Sequence, residues 1–178
     1  MRAMTAAALG IAVLTGAWAL GSLTATAQVN SNDNRISIMD NCDPSDPGWP
    51  PPGCSKRGGD VSADEFDELL TTSLGSSLIG HPSWRNEPSY LTAQAGRTIK
   101  VTNDGGRPHT FNEVTEFGGG TIAVLNVGLS RADGCPASPA NLAVVAPGAS
   151  IDVRGLDEGL HRFQCCIHPW MRATIRVE

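Results

Sequence analysis

The sequence predicts an all-β fold, a Greek-key β-sandwich, preceded by an N-terminal extension that contains one short helix. Three observations point there. From His81 onward, short apolar runs alternate with polar residues at a period of two, as at Ile99 and Val101 in "TIKVTN". Gly, Pro, Asn and Asp break these runs at close spacing. Ahead of them lies one stretch, "VSADEFDELLTTSLGSSL", whose apolar residues recur at helical intervals.

The chain of 178 residues begins "MRAMTAAALGIAVLTGAWALGSLTATAQ". A positive charge at Arg2, an apolar run and the small residues Ala25, Thr26 and Ala27 have the layout of a secretory signal peptide. Residues 1–27 are therefore expected to be removed and the protein exported, to a periplasmic or extracellular space. An uncleaved anchor is the alternative, since the run is long enough to span a bilayer. No other segment is, so the mature chain is expected to have no membrane span. The formal charge of −5 leaves no basic stripe for phosphates, which argues against a nucleic-acid partner. Five cysteines in an exported chain leave one thiol over after pairing.

Residues 28–80 read as the extension. "NCDPSDPGWPPPGCSKRGGD" has turn chemistry at nearly every position, and Cys42 and Cys54 bracket it. In the helical stretch, Ser62 and Glu65 have the spacing of a capping box, and Val61 and Phe66 that of a hydrophobic staple. Phe66, Leu69, Leu70 and Leu74 are expected on one packed face, and Asp64, Glu65, Asp67 and Glu68 on a solvated helix start. Residues 81–178 form the sandwich. "SYLTAQAGRTIKVTN", "TIAVLNVGL", "NLAVVAPGASIDVRGL", "HRFQC" and "ATIRVE" are its expected strands. "FGGGT" is a glycine turn without the spacing of a nucleotide loop. No Ser/His/Asp arrangement with a supporting motif is present, and the chain is not expected to be an enzyme.

The chemistry concentrates in "CCIHPWM" between the last two strands. Thiolate and thioether are soft donors that favour Cu(I), and imidazole also accepts Cu(II). Two histidines and a cysteine with a distant axial methionine make an electron-transfer copper site. A second histidine is available at His109 in "NDGGRPHTFNEV", upstream of the cysteine pair. His81 reads as a loop cap and His161 as a solvent-facing strand residue.

Cys165, Ile167, His168, Pro169, Trp170 and Met171 stand in a Cys-x2-His-x2-Met loop, and this end of the chain resembles the cupredoxins, the type 1 blue-copper proteins. Among them its short loop is most similar to amicyanin; plastocyanins have more residues between His and Met. The resemblance covers roughly the last half of the chain. It implies one copper ion with His109, Cys165 and His168 as strong ligands and Met171 as a weak axial one. It also implies an apolar rim of Pro169 and Trp170 around an exposed edge of His168, where electrons would leave; ordinary loop packing of these two residues is the equal alternative. The implied function is a monomeric exported carrier that passes single electrons between transient redox partner proteins. A copper-holding or copper-delivery protein, or an accessory domain of a redox complex, is the alternative.

Two features depart from the family pattern. Many cupredoxins carry Asn after the upstream histidine, where Thr110 stands here and offers only a hydroxyl. Cys166 is a second thiol beside the ligand. If Cys165 points to the metal, strand alternation turns Cys166 away. The four remaining cysteines allow three pairings, of which Cys42–Cys54 with Cys135–Cys166 is favoured.

Overall fold

The computed structural model describes residues 34–71, 80–126 and 128–178. The signal segment 1–27 and Leu74 lie outside the described residues. Eight strands and one α-helix follow in the order β1 (Arg35–Met39), α1 (Ala63–Leu70), β2 (Arg85–Glu87), β3 (Tyr90–Ala93), β4 (Ile99–Asn103), β5 (Asn112–Val114), β6 (Ser150–Val153), β7 (Gly159–Gln164) and β8 (Arg172–Val177). They form two four-stranded sheets, ordered β2-β1-β4-β6 and β3-β8-β7-β5.

Alternation decides which face each strand buries. Along β1 Ile36 and Ile38 turn inward, along β4 Ile99, Val101 and Asn103, and along β8 Ala173, Ile175 and Val177. Both sheets contribute to one apolar core, which also takes in Leu91, Ala93, Phe163 and the aromatic residues Trp49, Phe66 and Trp84. Phe111 and Phe163 stack with ring centroids 4.7 Å apart and planes 10° from parallel. Parallel pairing of β1 with β4 and of β3 with β8 lies beside antiparallel pairing of β7 with β8 and of β5 with β7.

The extension expected to lie outside the sandwich contributes one of its strands. Arg35–Met39 sits between β2 and β4, with Ile36 opposite Val101 and Ser37 opposite Glu87. Its alternation is only five residues long and is followed at once by Pro- and Gly-rich sequence, which masks it. Inside the sheet, Ile36 and Ile38 are 1% and 0% exposed.

Helix α1 begins as the sequence implies. The Ser62 side chain accepts from the Glu65 N–H at 3.1 Å, an N-cap contribution of about 1 kcal/mol. Glu65 does not return to the cap; its carboxylate lies 3.4 Å from His81 Nε2. Asp64, Glu65, Asp67 and Glu68 are exposed, and Phe66 is buried. Leu69, expected on the packed face, is 36% exposed because the helix meets the core chiefly through Phe66, with Leu70 half-buried beside it.

One expected strand is absent. "TIAVLNVGL" contains a 3₁₀ turn at Ala123–Leu125 instead. Asn126 closes it, accepting from the Gly120 N–H and donating to Ile122 O at 2.7 Å. That side chain satisfies backbone groups which a ladder would otherwise have to pair. Leu125 packs on the core while Val124 is 77% exposed.

Replacing Ile38 by Ala should lower the unfolding free energy by about 2–5 kcal/mol, since it empties a site between the sheets. Val124→Ala should change it by no more than about 0.5 kcal/mol. Denaturant titration of the two variants checks both.

Candidate metal centre

Strand β7 ends at Gln164 and β8 starts at Arg172, so residues 165–171 must reverse the chain over one end of the sandwich. The loop closes on itself. Cys165 N–H donates to Met171 O at 3.0 Å, and Met171 N–H donates to His168 O at 2.9 Å. Cys165 and Met171 are fully buried, and His168 is 8% exposed.

His109 arrives from the turn after β4. Asn103, fully buried, donates through Nδ2 to Arg107 O and Val145 O, both at 2.8 Å, and so shapes that turn from within. His109 and Val145 then exchange backbone hydrogen bonds of 3.2 and 2.7 Å, which fix the histidine against the loop before β6.

These two anchors bring three of the four expected ligands into one cluster. The ligand atoms of His109, Cys165 and His168 all lie within 4.8 Å of one another, and all three residues are buried. Cys165 Sγ is 3.7 Å from His168 Nδ1 and 3.9 Å from His109 Nδ1. Met171 lies in the same loop with its side chain fully buried. The sulfur also receives backbone N–H groups from Thr110 and His168, each at 3.4 Å. One soft thiolate, two imidazoles through the same ring atom and a neighbouring thioether fit a copper-type ion better than a hard cation.

The charges agree with a thiolate. Burial pushes the Cys165 thiol up, but the imidazoles of His109 and His168 outweigh it and hold the thiol well below its ordinary range. Burial is the largest influence on His168 and leaves its pKa lowered. His109 is also pushed down by burial, yet its bonds to Asp40 and Cys165 leave its pKa raised.

Cys166 faces the other way. It is bonded to Cys135, and Cys42 to Cys54, which leaves Cys165 as the free cysteine. The Cys135–Cys166 bridge lies in a second, smaller core with Val114 and Ala132. Thr110 supplies the brace expected of its hydroxyl: Oγ1 accepts the Cys166 N–H at 2.7 Å. One hydrogen bond thus joins the residue after one ligand to the residue after another.

Two expectations about the surroundings need correction. The apolar rim around an exposed His168 edge is covered. Phe66 of α1 meets the His168 ring edge-on at 6.2 Å, and Trp170 lies 5.5 Å from it. Gly80 packs on the Trp170 indole so closely that a Cβ there would fall 2.0 Å from the ring, and its φ of +57° suits glycine. Tertiary packing by the N-terminal segment, which no loop motif records, covers most of the ring and leaves His168 8% exposed. His161, expected to face solvent, is held between Glu113 at 2.6 Å and Asp157 O at 2.8 Å. His81 caps its own turn, accepting from Ser83 N–H through Nδ1 at 3.2 Å, and stands apart from the ligand cluster.

Asp40 went unread in the sequence. Its carboxylate is fully buried, 2.8 Å from His109 Nε2, and 69 residues separate the two in the chain. The signal that would have found it is the "RISIM" alternation, which makes Asp40 a charged residue at the very end of a core strand.

Two mixed sheets carry the ligand loop between their last two strands and the remaining ligand on a turn after β4. The chain is the all-β sandwich that the sequence predicts. No family model matches it, and no curated protein matches it either. Among solved structures it is similar to the purple cupredoxin from Nitrosopumilus maritimus, at 15% identity and a TM-score of 0.42, with 81% of this chain and 98% of that one covered. A Cu(I) amicyanin mutant is 19% identical with a TM-score of 0.36, covering 53% of this chain and 73% of its own. A reduced amicyanin mutant is 18% identical at 0.37, with 61% and 88% covered. The β-sandwich rests on the sheet order and the strand pairing, not on these overlays.

Thr110→Val should leave the Cys166 N–H buried without its acceptor and destabilise the metal-free protein by about 1–3 kcal/mol. Thr110→Ser should restore most of that loss. Denaturant unfolding of the two variants side by side measures the difference.

Proposed function

We propose that this protein is an exported type 1 copper protein that carries single electrons between redox partners. The observation that supports it most is the buried cluster of Cys165, His109 and His168, with Met171 in the same closed loop. Copper bound there would supply a one-electron Cu(I)/Cu(II) couple. The protein's share is rigidity. Cys165 is held by two N–H donors, His109 by the Val145 pairing and by Asp40, and His168 by packing against Phe66 and Trp170. A donor set clamped this way changes little between oxidation states, which keeps electron exchange fast.

Export is supported by the two disulfides, which persist in an oxidising compartment. Among the described residues no helix is long and apolar enough to cross a membrane. The reading includes a monomer that docks only transiently on its partners, with no catalytic role of its own. Burial of all three strong-ligand candidates favours carrying over delivery, because a delivery site must open to hand its ion on.

The visible spectrum of the copper-loaded, oxidised protein tests the reading. An intense thiolate-to-copper band is expected in the wild type and absent in Cys165→Ser. The double variant Cys135→Ser/Cys166→Ser should keep the band while losing about 2–4 kcal/mol of stability to chemical denaturation. Met171→Leu should keep copper and shift the midpoint potential, because an axial thioether bonds weakly. A colourless wild type would overturn the proposal. A coloured protein that gives up its copper to a mild chelator within minutes would favour the delivery reading.

A further inference from the structure

The ligand set does not by itself call for a buried carboxylate, yet Asp40 places one directly behind His109. Building on the copper reading, we propose that Asp40 is a positioning residue: it fixes His109 in the tautomer that aims the Nδ1 lone pair at Cys165, and it sets a buried negative charge beside the metal that favours the oxidised state.

The geometry carries the first half. Asp40 Oδ2 lies 2.8 Å from His109 Nε2, and both side chains are 0% exposed. An ionised carboxylate only accepts, so the proton of the neutral imidazole must sit on Nε2. Nδ1 is then left as the lone pair, on the side where Cys165 Sγ stands 3.9 Å away. A metal-ligating histidine oriented through its other nitrogen is a general arrangement, and the partner's identity tunes the ligand.

The pocket around Asp40 is built for an anion. Its oxygens face backbone donors: Gly106 N–H at 2.8 Å and Cys42 N–H at 3.3 Å on Oδ1, and Arg107 N–H at 2.9 Å on Oδ2. These three backbone groups can only donate, and a carboxyl held by three N–H donors is kept in its ionised form. Gly105 lets the turn come this close, since a Cβ there would fall 2.2 Å from Oδ2. The "DGGRPH" sequence is thus a cradle for the carboxylate as well as a turn. The Arg107 guanidinium does not bond to it; that cation donates to Pro50 O and Gly53 O and lies over Trp49. The Arg107 guanidinium feels Asp40 at longer range, and the one side chain in direct contact with the carboxylate is His109. A nearby anion stabilises the more highly charged oxidation state.

Nitrogen-15 NMR of the histidines in the metal-free protein reads the tautomer directly, and protein-film voltammetry of the copper-loaded protein reads the potential. Metal-free wild type, read at a pH high enough to leave His109 neutral, should show it as the Nε2–H tautomer. Asp40→Asn keeps the size and the Oδ1 acceptor for the Gly106 and Cys42 N–H groups, but presents an amide N–H₂ to Nε2 and takes the acceptor from the Arg107 N–H. It should populate the Nδ1–H tautomer, keep the visible band and raise the midpoint potential. Asp40→Glu should return both readouts toward wild type. An Nδ1–H tautomer in the wild type overturns the proposal even if Asp40→Asn does not fold. So does an Asp40→Asn protein with tautomer and potential unchanged, which would reduce Asp40 to a staple for the turn. A colourless copper-loaded wild type overturns the copper reading and the charge role with it, while the spectra of the metal-free protein still decide the tautomer.

Discussion

One buried sulfur organises this end of the molecule. Cys165 has no exposure, and an isolated thiolate in such a place would be costly. Two imidazoles and two backbone N–H groups surround it, and their combined pull keeps the thiolate form. Each of these groups comes from a different constraint on the chain. His168 N–H comes from the tight loop, Thr110 N–H from the turn after β4, and the His109 ring from a strand-like pairing with Val145. The sandwich holds these constraints in register, so moving one layer against the other would disperse the cluster.

The N-terminal segment belongs to that architecture. Strand β1 pairs with both β2 and β4, and the residue after it supplies the carboxylate behind His109. Further along, Phe66 and Trp84 lie 4.7 Å apart, and Phe66 reaches the edge of His168. The segment therefore touches the centre twice, once through a hydrogen bond and once through aromatic packing. It acts as part of the scaffold that shapes the site.

Much of this was legible in the sequence because the informative signals were local. The Cys-x2-His-x2-Met loop spans seven residues, and the strands on either side alternate cleanly, Phe163 on one and Ala173, Ile175 and Val177 on the other. Setting Cys165 aside left three disulfide pairings, and the favoured one is the one that forms. What escaped depended on distance along the chain or on side chains that replace a ladder. Strand β1 is short and lies beside Pro- and Gly-rich sequence. Residues 121–129 are apolar enough to read as a strand, but Asn126 bonds back to Gly120 and Ile122 and ties residues 120–126 into a turn. The contact of Asp40 with His109 and the cover over His168 both come from tertiary packing, and no local pattern encodes them.

The bridge between Cys135 and Cys166 constrains how the protein can mature. While that bond is open, the residue beside Cys165 carries a second free thiol; closing the bridge commits that sulfur to the smaller core and leaves Cys165 as the one soft thiol beside the histidines. The bonded pair is almost wholly buried, Cys135 at 4% and Cys166 at 0% exposure, so once closed it is shielded from reductants. Closing that bridge is thus a covalent step of assembly that oxidising conditions favour.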